Sequence, residues 1–548
     1  MKIKIISLSF IAFLLLGFSL VNKSDIYYEI SKNLDIFAKI YKEISFNYVD
    51  EINSTEFIKS GIRGMLEKLD PYTVLIDESK KSDIDIITNG KYGGIGVSIG
   101  VLNNRVKITE IMDGYPAQRQ GLRVGDIIYE VDGFPVSVEN YDEVSPRVKG
   151  EPGTQLEIKI LRNNQNDTLT FKLIREEILV KSLYYYGFYP PNSNNVYLKL
   201  NSFTKTAGAE IQSAIRKLRN EKEIHSIILD LRGNPGGLLE SAIEVSDKFL
   251  QKNLLIVSTR GKDESSEKKY FSNEEPLFKS EKLIVLINEN SASASEIIAG
   301  AIQDHDRGII LGTQSFGKGL VQTITPITNE ISLKITTAKY YTPSGRCIQK
   351  IDYSKNNKVI KGLDSDSNSD FFTDNNRKVF SAGGISPDTL VESYLKNNLV
   401  EELLAQGLIF EFVDEYSSEN TLTEFEKDNE KNIFNKFLTF VSNNPEKIRI
   451  ESSKKLNELI TQMKKDSLNE TYIQELLNLK KRLDSYTSSL LEKNKSVILS
   501  LIKIELVRRY FDSKKSLEES LKSDNQIATA LKLISNENIY SQILNKKN

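Results

Sequence analysis

The chain has 548 residues, of which 39% are hydrophobic and 27% charged. This composition is typical of a globular protein, and the length suits about three or four domains of about 150 residues. Lys and Arg number 73 against 75 Asp and Glu, so the net charge of −2 gives no general attraction to nucleic acid or anionic lipid. One cysteine, Cys347, and two histidines, His225 and His305, exclude an intrachain disulfide, a cysteine zinc cluster and a multi-histidine metal site.

The first residues predict export. Lys2 and Lys4 precede an uncharged, mostly apolar run over 5–21, which is typical of a secretory signal or a signal-anchor helix. Neither an A-x-A-like site nor a lipobox cysteine follows, which favours an uncleaved anchor. We therefore assign 1–23 to a signal or anchor segment and expect the rest on the extracytoplasmic, periplasmic side of an inner membrane.

The next two regions differ in their periodicity. Apolar residues recur at helical spacings over 25–70, so an N-terminal helical region is predicted at 24–80, with a break near 49–55 and a role in packing or dimer contact. From about residue 90, short alternating segments with glycine turns predict a β-rich module over 85–165.

Strands and helices then alternate over 196–350, which predicts an α/β domain at 166–395 with a mostly parallel central sheet. A polar excursion is expected at 351–380. Beyond Gly407 there is no glycine and the apolar spacing is heptad-like, so 396–548 is predicted to be helical with polar linkers near 417–430 and 511–526. Its expected role is oligomerisation or packing, or docking of an adaptor or substrate.

The segment SASASE, 291–296, begins a predicted helix. Ser293 with Glu296 three residues later has the pattern of a capping box. A hydroxyl at a helix N-terminus also lies beside free backbone N–H groups, which stabilise an alkoxide or a tetrahedral oxyanion. The pattern leaves open whether Ser293 is a helix cap or a nucleophile.

A nucleophilic serine needs a base. His305 lies 12 residues after Ser293 on the same predicted helix, about 18 Å away, and His225 precedes a buried strand, so neither is suitable. Lys318, between two glycines and without an adjacent acid, is the other candidate, because burial lowers the pKa of an ammonium group. The alternative is a lysine in a surface turn.

A third segment, DLRGNPGGLL at 230–239, connects a strand to a helix. Gly236 and Gly237 are candidates to present backbone N–H groups to an oxyanion. The alternative is a turn that uses glycine and proline for its geometry alone.

These segments together resemble the C-terminal processing peptidases, or tail-specific proteases, which are PDZ-containing serine endopeptidases with a Ser/Lys dyad. The resemblance runs in order across about 35–390, through LDPYT, YGGIGVSI, DLRGNPGGLL, NSASASEIIAGAIQD, SFGKGLVQ, TPSGRCIQ and GGISPD. It implies that 85–165 is a PDZ domain and 166–395 a ClpP/crotonase-like peptidase domain. It also implies that neither a metal nor a cofactor is needed.

Residue by residue, the resemblance implies that Ser293 is the nucleophile and that Lys318, 25 residues later, is the general base. Gln322 matches the glutamine that orients the lysine. The implied oxyanion donors are the backbone N–H of Ala294 and one from Gly236 or Gly237.

The PDZ resemblance implies that protein substrates are bound by their C-terminal tails. The loop Gly94-Ile95-Gly96-Val97 would hold the terminal carboxylate through backbone N–H groups. Two alternatives remain: a PDZ scaffold with an inactive peptidase domain, and a crotonase-like acyl-CoA enzyme. An export signal and a PDZ-like module do not suit the second.

Overall fold

The structure is a computed structural model that describes residues 26–77, 90–162, 168–328, 331–353, 358–359, 370–381, 383–421, 424, 428–444, 451–466 and 470–545. The predicted anchor at 5–21 lies outside these residues. None of the described helices combines the length and apolar character that crossing a bilayer requires. The chain divides into two units, Met1–Asp77 with Gln322–Thr336, and Glu78–Val321 with Thr337–Asn548.

The first unit contains the two predicted N-terminal helices, 26–47 and Ser54–Leu66. Asn53 begins the second helix because its side chain accepts hydrogen bonds from the backbone N–H groups of Thr55 and Glu56. The strand Val74–Ile76 then pairs antiparallel with 332–334. The role of these helices in dimer contact stays a prediction.

The β-rich module of the second unit contains one antiparallel sheet around its own apolar core. The sheet runs to Ile174, beyond the predicted boundary at 165, because its last strand pairs in register with Gln155–Leu161 across the whole length of both. Its strands are Val97–Leu102, Arg105–Ile111, Ile127–Val131, Phe134–Pro135, Gln155–Leu161 and Thr168–Ile174, and its helices are Pro116–Arg119 and Tyr141–Val148. A separate pair, Lys91–Gly94 with Glu176–Leu179, closes the module.

The α/β domain has a six-stranded sheet that is parallel apart from its first pair, which confirms the predicted fold class. In spatial order its strands are Leu183–Phe188, Asn195–Leu200, Ser226–Asp230, Lys282–Ile287, Ile309–Gly312 and Thr389–Leu390. The helices Ala207–Glu221, Leu239–Asp247 and Ala294–Asp304 pack on one face. Since Ser226–Asp230 and Lys282–Ile287 are parallel neighbours, the loops that follow them leave the same edge of the sheet, where α/β domains usually form their sites.

Further strands in this part of the chain are Leu255–Gly261, Lys268–Phe271, Leu320–Pro326 and Ser332–Tyr341. Part of the predicted excursion at 351–380 is folded onto the domain. The buried Arg377 forms ion pairs with Asp306 (2.6 Å) and Asp388 (2.5 Å). Short pairs join Ile351–Asp352 to Lys358–Val359 and Phe371–Phe372 to Lys378–Val379.

The last region is helical, as predicted. Its helices are Asn398–Ala405, Leu408–Glu419, Glu430–Asn443, Glu451–Lys465, Glu470–Lys493, Lys495–Tyr510, Ser513–Ser523, Asn525–Ser535 and Glu537–Asn545. The prediction of a polar linker at 511–526 was wrong, because Asp512 caps a helix there and Leu521 is buried in a tertiary core. The final helices cover the second face of the six-stranded sheet.

Candidate active site

Ser293 occupies a strained turn at the start of the helix Ala294–Asp304. Its φ of 55° is in a region that a residue with a side chain rarely adopts. Ala292 and Ala294 are buried, whereas Ser293 is only half-buried. The turn therefore presents the one partly accessible hydroxyl of the SASAS segment.

The other two serines of the segment are structural. Ser291 is fully buried, and its hydroxyl donates to the carbonyl of Leu231 at 2.8 Å. Ser295 is also fully buried, and its hydroxyl donates to the carbonyl of Asn234 at 2.9 Å. Both hydroxyls thus tie the serine segment to the neighbouring loop.

Asn234 connects the DLRGNPGGLL loop to the serine segment. Its carbonyl accepts hydrogen bonds from the N–H of Ala292 (3.0 Å) and from Ser295. Its side chain accepts from the N–H of Gly236 (2.9 Å) and donates to the carbonyl of Leu200 (2.8 Å). A fully buried side chain with all these bonds fixes the position of Gly236.

Gly236 lies directly against the predicted nucleophile. A Cβ atom at this position would be 2.8 Å from the carbonyl oxygen of Ala292, 2.9 Å from the Cβ of Ser293 and 3.0 Å from the N of Ala294. Its φ of 102° is also a glycine conformation. The structure therefore brings three of the sequence-predicted site residues together: Ser293, Ala294 and Gly236.

Gly237 lies one residue further and packs on a different neighbour. A Cβ there would be 2.3 Å from the carbonyl oxygen of Phe203, and that oxygen accepts the N–H of Leu238 at 2.9 Å. This second contact anchors the glycine pair to the domain core, because Phe203 is completely buried.

Lys318 is half-buried in a loop whose two flanking glycines are both needed sterically. A Cβ on Gly317 would be 2.7 Å from the Cβ of Lys350, and one on Gly319 would be 2.9 Å from the N of Gln349. The Gln349 side chain accepts the N–H of Gly319 at 2.7 Å, and Lys350 N–H donates to the carbonyl of Gly317 at 2.9 Å. The G-K-G pattern thus reflects close packing around the lysine.

Glu296 links the two halves of the predicted dyad. One carboxylate oxygen, Oε2, accepts the backbone N–H of Ser293 at 2.8 Å and that of Lys318 at 2.9 Å. The other, Oε1, accepts the hydroxyl of Ser315 at 2.5 Å and the N–H of Gly317 at 2.7 Å. The sequence pattern indicated only a cap, but this carboxylate joins the serine segment to the lysine loop.

A second link between the same segments is Tyr340, whose role the sequence did not indicate. Its hydroxyl donates to the carbonyl of Ser293 at 3.2 Å, and its N–H donates to the carbonyl of Gly319 at 3.0 Å. Tyr340 is 1% exposed, so these bonds are shielded from water.

Burial raises the pKa of Glu296 from its ordinary value of 4.5 to about 7, although its four hydrogen bonds act in the opposite direction. The folded protein therefore binds this proton more tightly than the unfolded chain does. The resulting contribution to stability is present below about pH 4.5 and is lost as the pH rises through about 7.

Glu296→Gln removes this titration. Between pH 4.5 and 8 we expect the free energy of unfolding of the wild type to fall by about 3 kcal/mol relative to the variant. Urea unfolding of both proteins at the two pH values measures the difference. Parallel pH dependence would show that Glu296 ionises in the folded protein as it does in water.

Two residues that could compete for catalytic roles are engaged elsewhere. Asp304, at the far end of the helix from Ser293, forms a fully buried ion pair with Arg346 at 2.7 Å. His305 bonds to Asp374 and to the carbonyl of Leu255 at 2.8 and 2.7 Å. Both arrangements stabilise the domain.

Gln322 lies on the strand Leu320–Pro326 and donates to the hydroxyl of Thr336 at 3.2 Å. Its role in orienting Lys318 stays a prediction.

The predicted tail-binding loop, Gly94–Val97, connects two strands of the β-rich module. The carbonyl of Ile95 accepts the N–H of Ala117 at 3.0 Å, and that of Gly96 accepts the N–H of Met112 at 2.9 Å. Within the part of the chain that the structure describes, the N–H groups of Ile95 and Gly96 have no acceptor. The loop is therefore held by its carbonyls, and no described residue accepts from the N–H groups of Ile95 and Gly96.

Comparisons with family models agree with this architecture and define a PDZ-containing peptidase. Residues 194–359 match peptidase family S41 and residues 107–162 match a PDZ domain. Residues 399–534 match the C-terminal helical domain of a probable PDZ-protease, and residues 19–80 match the N-terminal domain of the activating protease CtpB.

Individual relatives agree with these family models. A carboxy-terminal-processing protease of Bartonella bacilliformis is 39% identical over 58% of this chain and 73% of its own length. A probable CtpA-like serine protease of Staphylococcus aureus is 30% identical over 64% of this chain and 71% of its own. A solved photosystem II D1 C-terminal processing protease is 24% identical, with a TM-score of 0.36 over 65% of this chain and 92% of that one. The chain belongs to the carboxy-terminal-processing proteases of peptidase family S41 and is a serine-type peptidase.

Proposed function

We propose that the chain is an exported endopeptidase that recognises protein C-terminal tails through its PDZ domain and cleaves through a Ser293–Lys318 dyad. The observation that carries the dyad is the shared acceptor Oε2 of Glu296, which binds the backbone N–H groups of both residues. The apolar run at 5–21, behind two lysines, supports export and a periplasmic location.

The chemistry is acyl transfer. Neutral Lys318 takes the proton of the Ser293 hydroxyl as the oxygen attacks a peptide carbonyl carbon. The lysine ammonium then protonates the leaving amine as the C–N bond breaks, which leaves an ester on Ser293. Lys318 next takes a proton from water as the water oxygen attacks the ester carbon. It returns that proton to the Ser293 oxygen as the ester C–O bond breaks and the acid leaves.

The oxyanion that forms in both steps needs hydrogen-bond donors close to Ser293. The N–H of Ala294 lies at the start of the helix, where backbone donors lack helical acceptors. The close approach of Gly236 to both Ser293 and Ala294 supports a second donor from the Gly236–Gly237 pair.

Tail recognition is supported by the N–H groups of Ile95 and Gly96, which have no acceptor among the described residues and lie at the start of the strand Val97–Leu102. In PDZ domains an extended tail adds to such a strand, and the loop N–H groups bind its carboxylate. The substrate is then a protein whose free C-terminus is accessible.

We expect an unfolded protein with an apolar C-terminus to be cleaved at least tenfold faster, as kcat/KM, than the same protein with a charged C-terminus, because the apolar end and carboxylate anchor it. Gel assays with the two substrates, and with the apolar one amidated at its C-terminus, measure this. Equal rates of cleavage for the three substrates would show that the PDZ domain does not select substrates by their C-terminus.

The alternative is a PDZ scaffold without peptidase activity. It predicts that the apolar substrate binds but stays intact after prolonged incubation. The strained and partly accessible Ser293 favours the peptidase, since a scaffold has no need of backbone strain at a hydroxyl.

A further inference from the structure

A cluster of charged side chains joins the C-terminal helical region to the loop that carries Gly236. Arg232 lies near the start of that loop, and its guanidinium donates to Asp230 through Nε (3.0 Å) and Nη2 (2.6 Å). Its Nη1 donates to Asp524 (2.8 Å) and to Gln526 (2.7 Å), which are almost 300 residues away in the chain. The guanidinium is thus shared between the peptidase sheet and the C-terminal region.

On the side of the sheet, Asp230 and Lys199 are fixed by several hydrogen bonds. Asp230 ends its strand at 1% exposure and also accepts the hydroxyl of Tyr197 at 2.7 Å. Lys199 donates to Asp230 at 3.3 Å and to the backbone carbonyl of Arg232 at 2.5 Å. Although burial acts in the opposite direction, Arg232, Lys199 and Tyr197 stabilise the ionised form of Asp230, so its pKa lies well below the ordinary value.

The C-terminal side is equally well defined. Asp524 is the N-cap of the helix Asn525–Ser535, and its Oδ1 accepts the N–H groups of Gln526 (2.9 Å) and Ile527 (3.1 Å). Its other oxygen binds Arg232. Gln526 is 2% exposed, and its amide also donates to the carbonyl of Val391 at 2.6 Å.

This helix is attached to the sheet itself. Its apolar residues share one core with strand residues of the peptidase domain, namely Ile527, Ala530, Leu533 and Ile534 with Ile228, Ile284, Leu286 and Ile309. The bonds from Asp524 and Gln526 to Arg232 therefore fix the loop relative to the same sheet that carries the serine segment.

The loop transmits this position to the predicted nucleophile. Gly233 N–H donates to the side chain of Asn288 at 2.8 Å, and Asn288 N–H is accepted by the hydroxyl of Ser291 at 2.9 Å. One residue beyond Gly233, Asn234 holds the N–H of Ala292. Gly233 and Asn234, the two residues that follow Arg232, are thus linked to the serine segment by hydrogen bonds.

We propose that Asp524 and Gln526 are positioning residues for the loop 233–237, which carries the predicted oxyanion donor of the Gly236–Gly237 pair. The C-terminal helical region would then complete the active site rather than only extend the protein. The proposal deepens the proposed function and rests on it for its catalytic consequence. Its structural part, the fixed position of 233–237, is independent of activity.

The test uses the full chain with Asp524→Asn, Gln526→Met and, as a matched control, Tyr540→Phe. Asparagine is as good an N-cap as aspartate, so Asp524→Asn keeps the helix start but removes the charge opposite Arg232. Tyr540→Phe removes hydroxyl bonds to Leu283 (2.9 and 3.0 Å) in the same helical layer without touching Arg232.

Hydrogen exchange of the four amides in 233–237 (Pro235 has none) and steady-state kinetics are the two measurements. Asp524→Asn and Gln526→Met should each speed exchange in 233–237 and lower kcat about tenfold with KM within twofold, since oxyanion donors act in the transition state. Tyr540→Phe should change neither, although it lowers the melting temperature.

Unchanged exchange in 233–237 in both variants would overturn the proposal, and so would an equal loss of kcat in Tyr540→Phe. If exchange is faster in the two variants but the wild type cleaves no substrate, the positioning role of Asp524 and Gln526 stands and the proposed peptidase function is wrong. The two failures are therefore distinguishable.

Discussion

Ser293→Ala is expected to abolish peptide cleavage, with kcat reduced by about 10⁴-fold or more, because the acyl-enzyme cannot form without this hydroxyl. The fold should be retained, since the Glu296 carboxylate binds the backbone N–H of residue 293 and not its side chain. Cleavage of an apolar-tailed protein, followed by gel and by mass spectrometry, measures the effect.

Ser291→Ala and Ser295→Ala are the matched controls. Each removes a buried hydroxyl bond to a backbone carbonyl, of Leu231 and Asn234 respectively, and Ser291→Ala also removes the acceptor of the Asn288 N–H. Each should lower the free energy of unfolding by about 1–3 kcal/mol. Both variants should still cleave. If either of them is as inactive as Ser293→Ala while its fold is retained, the assignment of the nucleophile is wrong.

Gly236→Ala should have the next largest effect. The added methyl would lie 2.8 to 3.0 Å from Ala292, Ser293 and Ala294, and the φ of 102° strains any residue with a Cβ. Relief of these contacts must move Ser293, the predicted nucleophile, or Ala294, a predicted oxyanion donor. We expect kcat to fall by about 10²–10³-fold with KM little changed, the size seen for loss of one oxyanion donor.

Gly233→Ala is the control that distinguishes backbone strain in the loop from displacement of Ser293 by an added methyl group. Gly233 also has a positive φ, of 72°, but an added Cβ would meet no atom within 4 Å. This control should be destabilised yet keep most of its kcat. A comparable loss of kcat in both variants would mean that general strain in the loop, and not the approach of Gly236 to Ser293, explains the effect.

The fold was largely predictable because its signals are local. The strand 226–230, the glycine loop and the serine-initiated helix each have a pattern within about ten residues, and their order indicates a parallel sheet. The polar stretch 511–526 was misassigned for the same reason. Its buried Leu521 contacts a core formed by distant strands, which local polarity does not reveal.

The supporting residues of the site depend on distant contacts. Glu296 reaches Lys318 across 22 positions, and Tyr340 reaches Ser293 across 47. A capping pattern predicted Glu296 at the helix start, but nothing within its segment indicates that the same oxygen also accepts the N–H of the lysine loop. Arg232 and Asp524, 292 positions apart, are a still clearer case.

The proposed function requires that Ser293 becomes acylated during cleavage. The most direct test mixes the wild-type protein with an apolar-tailed substrate, quenches it in acid within one turnover, and locates the added mass by proteolysis and tandem mass spectrometry. The dyad predicts a substrate-derived acyl group on the peptide that contains Ser293, absent from Ser293→Ala and strongly reduced in Lys318→Ala. An acyl group on another residue, or undiminished cleavage by Ser293→Ala, would contradict it.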